Sequence, residues 1–385
     1  MPVRTCSTIC DLSTDYLAVS GKEFRVYGHE NTFPVHSVMN SEVSDLPASR
    51  KIEGLASFSS KVFMCPQCDT PSYYLADPRG FKPEGFKLRD PWRYIKYAYR
   101  ARTADESDKK EIFERRGVSW SGLNSLPGWL TSLNSVVEFM HCVYLCMVKH
   151  LTKVILLRSG MLNPIPCNDW YPLDRLEEFF SRIIWPVSVA RLPPSVTSSS
   201  SKADQWRLHI SVLFVGLFVA WQVDVLRQRC LEILLSESPD PNQEQLDLVD
   251  SFTTDRSIRR HYSTMLEFSA AIRILSSRSI SPHEVERGCA ALSRACQNWA
   301  NLGVHLTPYF HFAQHFQRQM LQFGPCYATW AFPYERNNGF LGRTNHNNHK
   351  GGELECTMMR KWWKWVLVHD LVSLGHFATS TYYIG

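Results

Sequence analysis

SDLPASRKIEGLASFSSKVFMCPQCD, residues 44–69, is the stretch from which the rest of the chain is read. Asp45 opens it. Pro47 carries no N–H and has a fixed φ, so it halts a strand arriving from upstream, and Ala48–Phe58 reads as a helix. Val62-Phe63-Met64 then leads into Cys65-Pro66-Gln67-Cys68. A C-x2-C turn presents two thiolates on one side of a tight bend, half of a tetrahedral zinc site. Standing alone, such a pair is as readily incidental.

The sequence holds no second C-x2-C, so a missing half has to come from other residues. Thr307-Pro308 is a helix start, and the helix that follows carries His311 and His315. Spaced i, i+4, the two imidazoles share a face and can share one ion; the plainer alternative is two polar tips on a helix surface. Taken together, Cys65, Cys68, His311 and His315 make a Cys2His2 set for a structural Zn²⁺. Four protein ligands leave no open position, and the ion would tie the front of the chain to its end.

A second dense stretch, FPYERNNGFLGRTNHNNHKGGELECTMMR (332–360), is framed by TWAFPYE and KWWKWV. Its polar density predicts a surface loop, and the aromatic frame makes it the rim of a site. Asp45 and Glu335 are the candidate catalytic carboxylates, holding Mg²⁺ (or Mn²⁺) for two-metal phosphoryl chemistry. A lone acid is ordinarily a surface charge. These two each stand about 20 residues from one half of the Cys/His set, so a zinc link would bring them together. Glu138-Phe-Met-His141 falls on a long apolar helix, Leu133–Leu157; it is either core or an accessory border of the acidic site. Arg336, Arg343, Lys350 and Arg360, interleaved with Asn, are candidate DNA phosphate contacts or a solvated polar face.

Composition sets the outer limits. The chain has 385 residues, 44% hydrophobic and 12% aromatic, which is the composition of a folded protein and not of a disordered one. Its net charge of +5 permits nucleic-acid binding without arguing strongly for it. Twelve irregularly spaced cysteines without a secretory signal read as reduced thiols in the nucleus or cytosol. Ile210–Leu226 is nearly all apolar but is interrupted by Gln222 and Asp224, so it reads as a buried soluble helix and not as a membrane span.

In order, Phe24–Tyr27 and Phe33–Val35 read as short strands, and 70–92 as loop. Trp92–Arg116 is helical with a solvated charged face, and 118–130 is a turn region. Helices follow at 133–157 and 173–184. SVTSSSSKAD (195–204) reads as a flexible linker. A buried helix spans 204–235, and two more span 255–278 and 282–301. The domains expected are 1–80, 81–305 and 306–385.

Three blocks, SDLPASRKIEGLASFSSKVFMCPQC, EFMHCVYLCMVKH and FGPCYATWAFPYERNNGFLGRTN…GGELECTMMR, resemble in order and spacing the transposases of CACTA-like (En/Spm) DNA transposons, particularly the fungal type. The resemblance covers residues 20 to 370. It implies an α/β RNase H-like core, here N-terminally incomplete, with a large all-α insertion, so that the chain is predominantly α overall. It makes Asp45 the second acid of a DDE triad and Glu335 the third. Cys65 and Cys68 become the family's C-x2-C, and His141 the His of its D-x-M-H block, where Glu138 replaces the usual Asp. The distantly similar catalytic subunit of the V(D)J recombinase also places a Cys pair after its second acid and a His pair before its third. Only 44 residues precede Asp45, and Asp11 and Asp15 lack the surroundings of a first acid, so the chain is expected to lack that acid. The implied function is DNA strand cleavage and transfer in the nucleus on transposon ends and target DNA, by a homo-oligomer if active, without a membrane role. The alternative is a catalytically inactive or domesticated remnant acting as a zinc-stabilised DNA- or protein-binding module.

Overall fold

The computed structural model describes residues 20–25, 30–164, 171–187, 189, 192–193, 195–198, 201–222, 232, 234–236, 240–243, 258–343 and 353–380. The chain divides into two compact units, Met1–Trp330 and Ala331–Gly385. Helices predominate. Among the described residues the only sheet is an antiparallel pair, β1 (Lys22–Arg25) with β2 (Thr32–Val35), in which Lys22 lies opposite Val35 and Arg25 opposite Thr32. Both sit at the strand positions read from the sequence, although Val26 and Tyr27 lie outside the described residues.

The opening stretch folds as α1 (Leu46–Glu53). Asp45 is its N-cap: the backbone is extended there, and Oδ1 accepts from the Ala48 N–H at 2.8 Å. Pro47 lies in the first turn, where its missing N–H costs nothing. The helix ends five residues before the expected Phe58 because Gly54 takes φ 72°, and a Cβ there would meet the Ser119 carbonyl at 2.6 Å. The charged region expected as one helix is two, α2 (Pro91–Thr103) and α3 (Glu106–Arg116), because Asp105 turns extended and caps the second.

The expected 133–157 helix starts later. Ser135 pairs with Glu42 as an isolated parallel bridge, and α4 then runs Met140–Arg158 in wide, π-type turns. By length and composition α4 could cross a membrane, but Val143, Met147, Val148, Leu151 and Leu156 are all buried, the pattern of a core helix. α5 (Pro172–Ser181) packs on α6 (Ala203–Trp221), where Gly216 lets Leu176 and Phe179 approach closely. α6 closes at Gln222 (φ 33°) and does not run unbroken to 235. Part of the serine-rich segment read as a linker is held in place: Lys153 Nζ donates to the carbonyls of Val196 and Ser198, each at 2.7 Å, and Ser195 donates to Glu177.

α7 (Ile258–Leu275) and α8 (Pro282–Asn301) form a hairpin, and α8 opens with a Ser281/Glu284 capping box. Phe268, Trp299 and Phe310 meet with ring centroids 5.3–6.5 Å apart and are almost fully buried. Truncating such a ring to Ala costs about 3–5 kcal/mol. This aromatic core backs α9 (Pro308–Phe312), which a tight turn at Ala313–His315 joins to α10 (Phe316–Phe323). The second unit holds α11 (Phe332–Gly342) and α12 (Glu353–Ser380). The polar stretch expected as a loop is thus helical at both ends, in α11 with Pro333 in its first turn and again from Glu353 onward in α12.

Candidate metal centre

The ligating atoms of Cys65, Cys68, His311 and His315 all lie within 4.8 Å of one another, and all four residues are buried. Cys65 Sγ is 3.3 Å from His315 Nε2, and Cys68 Sγ is 3.2 Å from His311 Nε2. A tetrahedral zinc ion with ordinary Zn–S and Zn–N bonds spaces sulfur and nitrogen about 3.6 Å apart. The donor set and its spacing therefore fit a metal such as zinc. Among the described residues this is the one grouping of three or more Cys, His, Asp or Glu that could hold an ion.

Each half is built by local structure. The knuckle is clamped by antiparallel pairing: Asp69 N–H donates to the Lys87 carbonyl at 2.9 Å, and Arg89 N–H to the Gln67 carbonyl at 3.0 Å. Pro66 has no N–H, and the next one, on Gln67, points at Cys65 Sγ at 3.4 Å. On the other half, the tight turn after α9 keeps the two imidazoles together, with ring centroids 5.4 Å apart. His311 Nδ1 donates to the Gly80 carbonyl at 2.6 Å, which fixes the tautomer and leaves the Nε2 lone pair for a metal. The Phe86 ring lies 4.7 Å from His311 and 5.4 Å from His315.

The electrostatics suit a thiolate here. Burial works against a charged Cys65 sulfur, but Cys68, His315 and His311 outweigh it and hold Cys65 well below the usual thiol range. Cys68 is pushed up by burial and by its neighbour Cys65. Cys142, Cys146, Cys289, Cys296, Cys326 and Cys356 are also free thiols.

The other candidate residues fall in several places. Asp45 is exposed, and Glu335 is exposed on the first turn of α11, in the second unit. The Glu42–Ser135 bridge runs parallel, so the segments leading to Asp45 and to Glu138 travel side by side, each acid three residues past the pairing. Glu138 is buried and folds back over the start of α4: Oε1 accepts from Met140 N–H at 2.9 Å, and Oε2 from His141 N–H at 2.7 Å and His141 Nδ1 at 2.6 Å. Arg336, Arg343 and Arg360 are exposed in the second unit, whereas Lys350, like Asp11 and Asp15, lies outside the described residues. On α12, Trp363 and Trp365 are exposed, and Trp365 stacks near Phe340 at 4.9 Å.

A buried polar group beside the knuckle is not visible in the sequence. Glu42, Arg50 and Glu53 are all buried. Arg50 donates to the Met64 carbonyl at 2.7 Å, just ahead of Cys65. Glu53 accepts from Ser135 at 2.8 Å and Ser49 at 3.1 Å. Burial first, then the charge of Glu42, pushes the Glu53 carboxyl up to about 8 against those hydrogen bonds. Arg50 and Glu53 are three apart on a polar-looking helix, a pattern that reads as a surface ion pair. A scan against protein-family models and a search of curated proteins find no match for this chain.

Proposed function

We propose that the chain is a zinc-clamped helical module of DNA-transposase type, akin to the CACTA-like transposases. The observation that carries this reading is the buried Cys65/Cys68/His311/His315 group, whose halves stand 243 residues apart between Cys68 and His311. Cys65 and Cys68 are the C-x2-C of the resemblance, His311 and His315 stand before the third acid as the His pair of the V(D)J recombinase subunit does, and a structural Zn²⁺ there would cross-link distant parts of the chain. In this reading Asp45 and Glu335 are the second and third acids of an RNase H-like site, and the protein acts on transposon ends and target DNA in the nucleus as a homo-oligomer. Bound Mg²⁺ at that site would supply the charge that activates water and then a 3′-hydroxyl for attack on phosphate. Glu138 and His141 would border it, and Arg336, Arg343, Lys350 and Arg360 would hold phosphates.

One observation favours the non-catalytic alternative, a zinc-stabilised DNA- or protein-binding module. Two of the acids assigned to that site have structural tasks: Asp45 Oδ1 caps α1, and both Glu138 oxygens cap the start of α4. A strand-transfer assay with Mg²⁺ or Mn²⁺ separates the two. Product formation that disappears in Glu335→Gln supports the transposase; DNA binding with no product in the wild type supports the module. Absence of both zinc and DNA binding contradicts the whole reading.

A further inference from the structure

We propose that the solvent face of α2 is a docking surface for the phosphate backbone of a nucleic acid. It deepens the DNA-handling reading above and rests on it for the choice of polyanion. The helix PWRYIKYAYRART carries Arg93, Lys96, Arg100 and Arg102 and no acid. Its buried face is Tyr94, Ala98 and Ala101. At about 100° per residue, Trp92, Arg93, Lys96, Tyr99, Arg100 and Thr103 fall on the opposite side. All six are exposed.

The neighbouring helix supplies the contrast. On α3, Lys109 pairs with Glu106, Lys110 with Glu114 and Arg115 with Glu111. That helix is a solvated, self-neutralised face. On α2, none of the four cations has an ion pair among the described residues. The acids nearby are engaged elsewhere: Asp90 caps α2 by accepting from Trp92 N–H, and Asp69 lies against Arg89 at 3.5 Å.

Two of the three guanidinium groups of α2 instead lie over rings, and Arg116 of α3 joins them. Arg102 lies over Trp120 at 4.7 Å, Arg100 over Tyr97 at 5.9 Å, and Arg116 over the same Tyr97 ring at 4.7 Å. A guanidinium stacked on an aromatic face keeps its N–H donors in the ring-parallel plane, available to phosphate oxygens. Trp92 is 69% exposed and Tyr99 43%, aromatic surface for sugars and bases beside the phosphate contacts. The 13-residue helix is roughly 20 Å long, enough to follow several phosphates. An acidic membrane fits poorly, because the apolar side of α2 is already buried with Leu55 and Val118.

The test measures binding of the full chain to a labelled DNA duplex by fluorescence anisotropy over a range of salt concentrations. The variant is Arg93→Gln/Lys96→Gln/Arg100→Gln, with Lys109→Gln/Lys110→Gln/Arg115→Gln on α3 as the control, both checked for folding by thermal melting. Each lost phosphate contact flattens the log K against log salt slope by about 0.9, so the α2 variant should lose nearly three and the control far less. Wild-type binding with an unchanged slope in the α2 variant overturns this surface and leaves the DNA reading standing. No duplex binding by the wild type overturns both. Equal affinity for polyglutamate overturns the nucleic-acid assignment.

Discussion

His311 donates its Nδ1 proton to the Gly80 carbonyl at 2.6 Å, and this bond aims the opposite nitrogen at Cys68. Gly80 is a glycine for a steric reason: a Cβ there would lie 2.2 Å from the Tyr74 carbonyl. The carbonyl position and the metal geometry are therefore linked. Gly80→Ala is expected to move that carbonyl and weaken zinc binding about 10–100-fold, the usual effect of losing an outer partner of a ligating His. Competition with a chromophoric chelator reads this directly. Wild-type affinity in the variant would show that the bond does not orient the ligand.

Asp45 has two candidate roles that respond differently to substitution. As an N-cap, Asp45→Ala should cost about 1 kcal/mol and Asp45→Asn only a few tenths, because Asn caps nearly as well. As a metal-binding acid, Asp45→Asn should abolish strand transfer while leaving stability almost intact. Chemical denaturation and the transfer assay on the same two variants decide whether the residue has one role or both.

Glu53 predicts an unusual dependence of stability on pH. Its folded-state value of about 8 exceeds the ordinary 4.5, so the folded chain holds this proton where the unfolded chain has released it. Stability should therefore be greatest below about pH 5 for this group, decline through the window to about pH 8 and then level off. The steepest contribution is about 1.4 kcal/mol per pH unit. Glu53→Gln, which resembles the protonated form, should remove that slope in urea titrations. Identical slopes in wild type and variant would place the charge elsewhere.

The parts of the fold that the sequence revealed are those governed by local chemistry. Ser281-Pro282 starts a helix because a side-chain cap and a missing N–H act within one turn, and Thr307-Pro308 does so through the proline alone, with no side-chain cap from Thr307. His311 and His315 share a side because their spacing survives even the tight turn between them. Long-range effects were harder to see. Arg50 and Glu53 look like a surface pair, but Tyr94 and Ser135 close over Glu53, and Met64 and Phe312 over Arg50, contacts that come from distant parts of the chain. The break between α2 and α3 rests on Asp105 preferring a cap to a helix interior, a weak signal in a charged run. The helix at Phe332–Gly342 ran against its polar composition, which favours loops when judged by residue type alone.

The most direct test of the zinc clamp is elemental analysis of the full chain, purified without chelator or added metal. One zinc ion per chain is expected in the wild type, and its loss in Cys65→Ser combined with His311→Ala. Wild-type protein that is folded yet free of zinc, or zinc occupancy unchanged in the double variant, would contradict it.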